Sequence, residues 1–265
     1  MAGEQRVGGY ELEAVLGEGA IGTVYRARAG DGLIVALKQL KRELAADDGF
    51  RRRFAREARA AQAVSHRHLV AVLDHGEDDG RPYVVLEYVG GGSLADRLDS
   101  GPLGIDEIVQ LVADVASGLD ALHATGIVHR DVKPSNVMLR HDASAALTDF
   151  GLAKGAAYTV LTRPGQILGT LDYLAPELVR GEEATPASDV YALGCVAFEC
   201  LSGSPPFADR SLFGVGTAHL EEDPPDPAAA PELAWAVLRA LEKDPAARPA
   251  TATTYAHLLR AGARR

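Results

Sequence analysis

The run Gly90-Gly91-Gly92-Ser93 is the feature that most constrains the fold, because the spacing of apolar residues changes across it. Before this run, short segments rich in β-branched and aromatic residues alternate with glycine turns, which predicts antiparallel strands. After it, apolar residues recur at the three- and four-residue spacing of amphipathic helices. The chain is therefore predicted to be α+β, with a small β-rich lobe over about 1–89 and a larger, mainly helical lobe over about 90–265.

Hydrophobic periodicity also predicts the individual elements on each side of the glycine run. The strands expected in the first lobe are Tyr10–Gly17, Thr23–Ala29, Leu33–Gln39, Leu69–Leu73 and Tyr83–Tyr88. One helix, Phe50–Ala63, interrupts these strands. The helices expected in the second lobe are Ile105–Leu122, Val190–Leu201, Leu233–Leu241 and Tyr255–Leu259.

Composition excludes several classes of protein. The formal net charge of −10 argues against non-specific nucleic-acid binding by the whole surface. The longest stretch without a charged residue, Pro249–Leu259, is too short to span a membrane, and Glu4 and Arg6 precede any apolar run that could serve as a secretory leader. The two cysteines, Cys195 and Cys200, indicate buried free thiols in a reducing cytoplasm rather than a disulfide or a zinc site.

A glycine-rich segment of the pattern G-x-G-x-x-G-x-V lies between two predicted strands, with glycines at Gly17, Gly19 and Gly22. Its flanks do not fit a dinucleotide-binding fingerprint, which needs a helix after the turn, or a Walker loop, which ends in Gly-Lys-Ser/Thr. Such a hairpin can bring backbone N–H groups close to phosphates. Lys38 follows on a strand, where it is expected to point into the lobe interior, and Glu57 is the leading candidate for its partner.

Carboxylate, amide and ammonium groups cluster in the segment His129–Asn136. Asp131 can accept a proton or orient a hydroxyl group, and Lys133 can neutralise a phosphoryl group. Asn136 offers an amide oxygen to a metal ion, and Asp149, in Asp-Phe-Gly, offers a carboxylate. These are the oxygen ligands that Mg²⁺ prefers.

Together with Ala175-Pro176-Glu177, these motifs resemble a protein kinase of the eukaryotic type, most similar to the bacterial serine/threonine kinases of the PknB group. The resemblance extends from about Tyr10 to Pro249. It implies the two-lobed protein kinase fold, in which residues 1–265 form one catalytic domain whose small lobe holds one key helix. It further implies a kinase that transfers the γ-phosphate of ATP to Ser and Thr hydroxyls of proteins.

The resemblance assigns an ATP-binding role to fifteen residues. They are Leu16, Gly17, Glu18, Gly19, Ala20, Ile21, Gly22, Thr23, Val24, Ala36, Lys38, Leu86, Glu87, Val89 and Met138. Val24 and Ala36 would lie above the adenine and Met138 below it. Leu86 would be the gatekeeper, and backbone groups of Glu87 and Val89 would bind the adenine edge. Asp96 is a further expected contact, with the ribose.

The resemblance assigns catalysis to Asp131 as base, with Lys133 beside it, and to Lys38 paired with Glu57. Asn136 and Asp149 would hold Mg²⁺, for which Mn²⁺ is an alternative. Lys133, two residues after the aspartate, is typical of Ser/Thr rather than tyrosine kinases. Thr170 matches the family threonine that contacts both of these residues.

Several other positions acquire expected roles from the same resemblance. Arg130 would receive a phosphorylated activation loop, with Thr162 as the primary autophosphorylation site and Thr159 as the secondary one. The expected structural contacts are His129 beneath Phe150, Glu177 with Arg248, and Asp189 with the backbone near His129.

Three alternatives stay open at this stage. A pseudokinase that only binds nucleotide is disfavoured, because Lys38, Glu57, Asp131, Asn136 and Asp149 are all present. A small-molecule phosphotransferase is disfavoured by the Ala-Pro-Glu segment and the interval before it. The arginines of the predicted helix, Arg51, Arg52, Arg53, Arg56 and Arg59, are interpreted as an exposed face or a docking face for the phosphorylated loop rather than as a nucleic-acid site.

The expected partners are protein substrates and ATP, without nucleic acid. Related kinases pair through their small lobes, so a homodimer through the N-lobe is also considered. The catalytic domain is expected to be cytoplasmic and to contain no membrane span, while a longer, membrane-anchored parent protein stays open.

Overall fold

The computed structural model of the chain describes residues 5–150 and 171–264. Their contacts divide them into two compact units. Unit 1 comprises residues 5–66 and 70–89, and unit 2 comprises residues 67–69, 90–150 and 171–264. The boundary after Val89 falls where the glycine run begins.

In the described part of the chain, unit 1 contains a six-stranded antiparallel sheet of order β1-β2-β3-β4-β6-β5. The strands are β1 (Arg6–Val7), β2 (Tyr10–Glu18), β3 (Gly22–Arg28), β4 (Ile34–Leu40), β5 (Val72–Asp78) and β6 (Arg81–Glu87). The turn between β5 and β6 is formed by Asp79 and Gly80, both with positive φ. The positive φ angles of these two residues suit a tight hairpin.

One face of this sheet packs into an apolar core. Val35 and Leu37 of β4 are buried there with Tyr83 and Val85 of β6. Helix α1 (Arg42–Ala45) and helix α2 (Asp48–Gln62) follow β4. The side chain of Asp47 accepts a hydrogen bond from the Phe50 N–H and so caps α2, which explains why the helix begins before the predicted Phe50.

The predicted strand Leu69–Leu73 starts too early, because β5 begins only at Val72 and extends to Asp78. The preceding residues bond to unit 2 instead. The N–H of Leu147 donates to the carbonyl of His68, the His68 ring contacts the carbonyl of Ala145 at 2.8 Å, and Leu69 forms a bridge with Leu147. These contacts explain why residues 67–69 belong to unit 2.

Unit 2 is mainly helical, with a short hairpin of β7 (Val137–Leu139) and β8 (Ala145–Leu147). Its helices are α3 (Leu94–Asp99), α4 (Ile105–His123), α5 (Pro176–Val179), α6 (Pro186–Ser202), α7 (Leu212–Glu221), α8 (Pro231–Ala240) and α9 (Ala252–Gly262). Short 3₁₀ turns occur at Pro134–Asn136, Leu171–Tyr173 and Pro245–Ala247. Helix α4 packs against α6 and α9 through its predicted apolar stripe, in which Leu119 and Leu122 are fully buried.

Helix α6 is apolar on most sides and is the central helix of the unit 2 core, since it contacts α4, α8 and α9. Cys195 and Cys200 are both buried in it as free thiols, as predicted. Burial raises the pKa of the Cys200 thiol to about 12 and raises that of Cys195 as well. Both thiols therefore stay protonated and unreactive at neutral pH.

None of the helices in the described ranges combines the length and the apolar composition needed to cross a bilayer. The predictions for Thr159, Thr162 and Thr170 fall in residues 151–170, which lie outside the described part of the chain.

Candidate active site

Strand register places several predicted ATP-binding residues on one face of the unit 1 sheet. Val24 is directly opposite Lys38, and Ala36 is directly opposite Leu86. Directly opposed residues project from the same side of a sheet, as do residues two apart along a strand. These four side chains therefore share the face opposite Val35 and Leu37.

Lys38 is half-buried on this face rather than inside the apolar core. Val84 and Leu86, on the same face, are both buried, so the expectation that Lys38 points into the lobe interior stays a prediction. Glu57 lies on α2 in the same unit and is also half-buried. The Lys38–Glu57 ion pair stays a prediction.

The glycine-rich segment forms the hairpin between β2 and β3, as its flanks predicted. The N–H of Gly19 donates to the carbonyl of Gly22 at 2.9 Å and closes the turn. A Cβ on Gly22 would lie 2.3 Å from the carbonyl oxygen of Gln39 on β4, whereas a Cβ on Gly19 would meet nothing closer than 3.7 Å. Gly22 is therefore required for strand packing, and Gly19 is not.

The residues predicted to bind the adenine edge lie at the end of β6. Leu86 is 6% exposed, and Val89 is 8% exposed just beyond the strand. The N–H of Glu87 donates to the carbonyl of Ala71 at 2.9 Å. The carbonyl of Glu87, rather than its N–H, is therefore the group that fits the predicted role.

In unit 2, Met138, the residue predicted to contact the adenine, lies on β7. Backbone contacts connect β7 to residues 92–93. The N–H of Leu139 donates to the carbonyl of Gly92, and Met138 forms a bridge with Ser93. Asp96 accepts hydrogen bonds from the N–H and the hydroxyl of Ser93, and these bonds lower the pKa of its carboxyl. Asp96 therefore caps α3, and its predicted contact with ribose stays a prediction.

The central feature of unit 2 is the buried carboxylate of Asp131. Its Oδ2 accepts a hydrogen bond from Asn136 Nδ2 at 2.7 Å and lies 3.2 Å from Lys133 Nζ. Asn136 Nδ2 also donates to the backbone carbonyl of Asp131 at 2.8 Å. The sequence predicted that these three side chains act together, and the structure brings them together.

The backbone on either side of Asp131 is held by another buried carboxylate. The N–H groups of His129 and Arg130 donate to Asp189 Oδ2 and Oδ1, each at 2.8 Å. Arg130 has φ of +68°, a conformation that non-glycine residues seldom adopt. The predicted contact of Asp189 with this segment is therefore confirmed, and it stabilises a strained backbone next to Asp131.

His129 is a structural residue, as predicted. Its Nδ1 accepts a hydrogen bond from the Asp131 N–H, so its Nε2 carries the proton and donates to the carbonyl of Thr148 at 3.0 Å. The centre of its ring is 6.4 Å from that of Phe150. Both ring nitrogens are occupied by the backbone, which fits a structural role for His129 rather than proton transfer.

Asn136 and Asp149 are the residues predicted to hold a metal ion. Both protons of Asn136 Nδ2 are donated to Asp131, so the amide orientation is fixed and Oδ1 is its acceptor oxygen. The N–H of Thr148 donates to the Asn136 carbonyl, which ties this residue to the segment that leads into Asp149. An amide oxygen and a carboxylate fit a hydrated Mg²⁺ that takes its other ligands from water and phosphate.

No group of three or more His, Cys, Asp or Glu side chains within the described ranges could hold an ion by itself. Asn136 and Asp149 supply two oxygen ligands, so an Mg²⁺ ion held there would complete its coordination with water and phosphate oxygens.

Unit 2, which holds Asp131, also contains a buried ion pair. Arg248 Nη1 and Nη2 each donate to a carboxylate oxygen of Glu177 at 2.8 Å, and the Ser188 hydroxyl donates to Glu177 at 2.7 Å. Burial alone would raise the pKa of Glu177, but these bonds outweigh it and lower the pKa. The predicted Glu177–Arg248 pair is confirmed.

Two side-chain contacts at the site were not predicted from the sequence. Nε2 of His123, in the last turn of α4, is 2.8 Å from Asp189 Oδ2. The Tyr173 hydroxyl donates to Glu199 of α6 at 2.6 Å. A search for polar residues within the apolar pattern of α6 would have singled out Glu199, whereas no sequence signal identifies its partner.

Comparison with known proteins gives consistent results. The protein kinase domain family matches residues 10–259. The chain is 41% identical over 258 residues to serine/threonine-protein kinase PknB of Mycolicibacterium smegmatis, a match that covers 92% of this chain and 41% of that protein. It is 40% identical over 255 residues to probable serine/threonine-protein kinase SCO3848 of Streptomyces coelicolor, covering 91% of this chain and 38% of the relative.

The same similarity is found among solved structures. The kinase domain of Mycobacterium tuberculosis PknI superposes with a TM-score of 0.80 at 33% sequence identity, covering 100% of both chains. The present chain therefore spans about two fifths of the length of the curated relatives above, but the whole of this solved domain.

Proposed function

Because the chain belongs to the protein kinase domain family and adopts its fold, we propose that it transfers the γ-phosphate of ATP to Ser and Thr hydroxyls of proteins. The observation that carries this proposal is the arrangement at Asp131. Its buried carboxylate is bonded by Asn136 and Lys133, and the backbone beside it is anchored by Asp189. A group held in this way can orient an incoming hydroxyl and accept its proton.

Each unit supplies a different part of this activity. In unit 1, the backbone of the glycine hairpin and the ammonium of Lys38 bind the phosphates, while Val24, Ala36 and Leu86 enclose the adenine. In unit 2, Asp131 orients the hydroxyl, and Lys133 balances the negative charge beside it. The protein's contribution is mainly positioning and charge stabilisation, since phosphoryl transfer needs little covalent chemistry from it.

Family membership implies ATP and a divalent cation, and we propose Mg²⁺, with Mn²⁺ as a substitute, held by Asn136 and Asp149. The ion, when bound, neutralises phosphate charge. The residues contribute its fixed oxygen ligands, and Asn136 keeps its ligand orientation because Asp131 takes both of its amide protons.

Specificity for Ser and Thr is proposed from Lys133. Its ammonium group lies beside the Asp131 carboxylate, where an incoming aliphatic hydroxyl would be oriented. Arg130 has a further proposed role. Its Nε is buried and has no hydrogen-bond partner within the described part of the chain, as expected of a group that receives the phosphate of an activation loop carrying Thr162 and Thr159.

Transfer of labelled phosphate from ATP tests the central proposal. We expect the wild-type chain to label itself and a Ser- and Thr-containing protein in the presence of Mg²⁺. Asp131→Asn should lower the rate about 10²-fold or more, whereas Asp142→Asn, at an exposed turn, should leave it unchanged. Nucleotide binding without labelling in the wild type would instead identify a nucleotide-binding scaffold.

Mass spectrometry of the same reaction tests activation. We expect phosphate on Thr162 and then on Thr159, and we expect Thr162→Ala to slow the onset of activity. Full activity of Thr162→Ala with an unchanged time course would remove Thr162 from the proposal.

The proposed setting is cytoplasmic, where ATP is available, and pairing of two copies through unit 1 stays a prediction. Sedimentation of the purified chain over a range of concentrations tests the pairing. Activity that rises with the dimer fraction would support it.

A further inference from the structure

Helix α2 presents a row of arginines to solvent that the proposed activity does not use. Arg52, Arg56 and Arg59 are all exposed, while Phe54 and Ala58 are buried on the opposite side. The spacing of four and then three residues aligns the arginines along one face of the helix. We call this set the α2 arginine stripe.

Counter-charge near the stripe lies at its first arginine, because Asp48 lies four residues before Arg52 and Asp47 is close enough to interact with it. Among the residues that the structure describes, no acidic side chain lies within 4 Å of any of the three guanidinium groups, whereas Arg51 on the same helix pairs with Asp48. Around Arg56 and Arg59, the positions three or four residues away carry no acid; besides the stripe itself they are Arg53, Ala55, Ala60, Gln62 and Ala63. Of the three arginines, only Arg52 therefore has an acid at the spacing that commonly stabilises an exposed helix face.

The arrangement also works against helix stability. Arg52 and Arg56 are four residues apart, and Arg56 and Arg59 are three apart, so like charges are neighbours twice along the stripe. Like charges at these spacings destabilise a helix. A local conflict of this kind, in a chain with 37 acidic residues available, is typical of a functional surface.

We propose that the α2 arginine stripe is a docking surface for an acidic segment of a partner protein, with carboxylates on alternate residues. Guanidinium groups bind carboxylates through paired hydrogen bonds. The rise of an α-helix places Arg52 and Arg56 about 6 Å apart along the axis. Alternate residues of an extended peptide are about 6.7 Å apart on one side, so successive carboxylates can follow the stripe.

Charge distribution favours a short acidic segment over other anionic partners. Screening limits the reach of each charge to about 8 Å at physiological salt, so a short peptide is attracted by the stripe alone. A long nucleic acid would extend over the rest of a surface whose net charge is −10. A membrane surface would need large apolar side chains among the arginines, whereas the partly exposed residues between Arg52 and Arg59 are Arg53, Ala55 and Glu57.

Fluorescence anisotropy with the full 265-residue chain tests the proposal. The probe is a labelled dodecapeptide of alternating Glu and Ala, with alternating Gln and Ala as the neutral control. We expect micromolar binding of the Glu peptide at low salt, and at least a tenfold loss in Arg52→Gln/Arg56→Gln/Arg59→Gln. A matched triple variant, Arg6→Gln/Arg42→Gln/Arg210→Gln, removes the same charge elsewhere and should retain binding.

One further variant separates docking from misfolding. Arg56→Glu converts both like-charge neighbours into opposite-charge neighbours, so we expect the melting temperature to rise by about 1–3 °C while peptide binding falls. The proposal would be overturned if the two triple variants lost peptide binding equally, or if the wild-type chain did not bind the Glu peptide at millimolar concentration. It would also be overturned if the wild-type chain bound a twelve-residue oligothymidylate or anionic phosphatidylglycerol vesicles more tightly than the Glu peptide.

Discussion

The two units hold their candidate residues by different means. In unit 1, Val24, Ala36 and Lys38 owe their positions to strand register, and their side chains are half-buried. In unit 2, Asp131 and Asn136 are buried and are fixed by hydrogen bonds between side chains and backbone. In the sheet, strand register aligns the candidate residues, whereas in the helical unit a network of side-chain hydrogen bonds holds them.

This difference has a physical consequence. A buried polar network stabilises a protein only while each member is bonded, because an unpaired group loses water without compensation. Single substitutions in unit 2 should therefore affect stability and activity together. Substitutions on the face of the unit 1 sheet that holds Val24, Ala36 and Lys38 should act locally, unless they push against the backbone of a neighbouring strand.

The largest effect is expected at the Glu177–Arg248 pair. Glu177→Ala leaves a buried guanidinium without its counter-charge, so we expect the free energy of unfolding to fall by about 3–5 kcal/mol. Chemical denaturation measures this loss. Glu182→Ala, five residues on and exposed, is the matched control and should change stability by less than about 0.5 kcal/mol.

The stability that the Glu177–Arg248 pair contributes depends on pH. The pKa of Glu177 is lowered in the folded state, so the native chain binds fewer protons than the unfolded chain as the pH falls below the ordinary value of 4.5. The stability contributed by Glu177 is therefore present above that value and is lost below it. A loss for Glu177→Ala no greater than that for Glu182→Ala would contradict the role of the polar network.

The next effect is expected for Asp189→Asn. The amide keeps the shape of the side chain but places an NH₂ group against a backbone N–H of His129 or Arg130. We expect stability to fall by about 2–3 kcal/mol, because a buried donor is left unpaired. The kcat for phosphate transfer should fall at least tenfold with a small change in KM for ATP, because the proposed phosphate contacts are residues of unit 1. An unchanged kcat would show that Asp189 does not position Asp131.

A third effect of about 2 kcal/mol is expected from His219 of α7. This histidine is fully buried, and its ring contacts Tyr191 and Phe207. Burial, with a smaller contribution from nearby Lys243, lowers its pKa from 6.5 to about 4. Between pH 7 and pH 5, the native state therefore binds fewer protons than the unfolded chain. The free energy of unfolding should fall by about 2 kcal/mol over this pH range.

Denaturation at both pH values measures this contribution. His219→Gln should reduce the difference between them by most of that amount, whereas His257→Gln, at an exposed position of α9, should leave the difference unchanged. If the two variants showed the same difference in unfolding free energy between pH 7 and pH 5, protonation of His219 would not lower the stability.

The sequence predicted the unit 1 elements and their residues well, because strand alternation and glycine turns are local signals. Its errors there came from contacts with other parts of the chain. Residues 69–71 look like a strand, yet Leu69 and its neighbour His68 bond to Leu147 of β8 instead. Alternation predicts that two faces exist but does not by itself identify which one is covered.

In unit 2, the motif residues were identified, but the contacts that hold them were predicted only through family resemblance. His129 and Asp189 are separated by 60 positions, and Glu177 and Arg248 by 71. No periodic pattern connects residues at such distances. The Tyr173–Glu199 and His123–Asp189 contacts, which the resemblance did not supply, were therefore missed.

The smallest effect compares two glycines of one hairpin in unit 1. A Cβ on Gly22 would lie 2.3 Å from the Gln39 carbonyl oxygen, so Gly22→Ala must displace β4 and should lower stability by about 1–2 kcal/mol. Gly19→Ala meets its nearest atom at 3.7 Å, an ordinary contact, and should change stability by less than about 0.5 kcal/mol. Lys38 lies two residues before Leu40, the cross-strand neighbour of Gly22, so a displaced β4 should also raise KM for ATP. Equal unfolding free energies and equal KM values for the two variants would show that the hairpin moves freely and that register alone does not position the lysine.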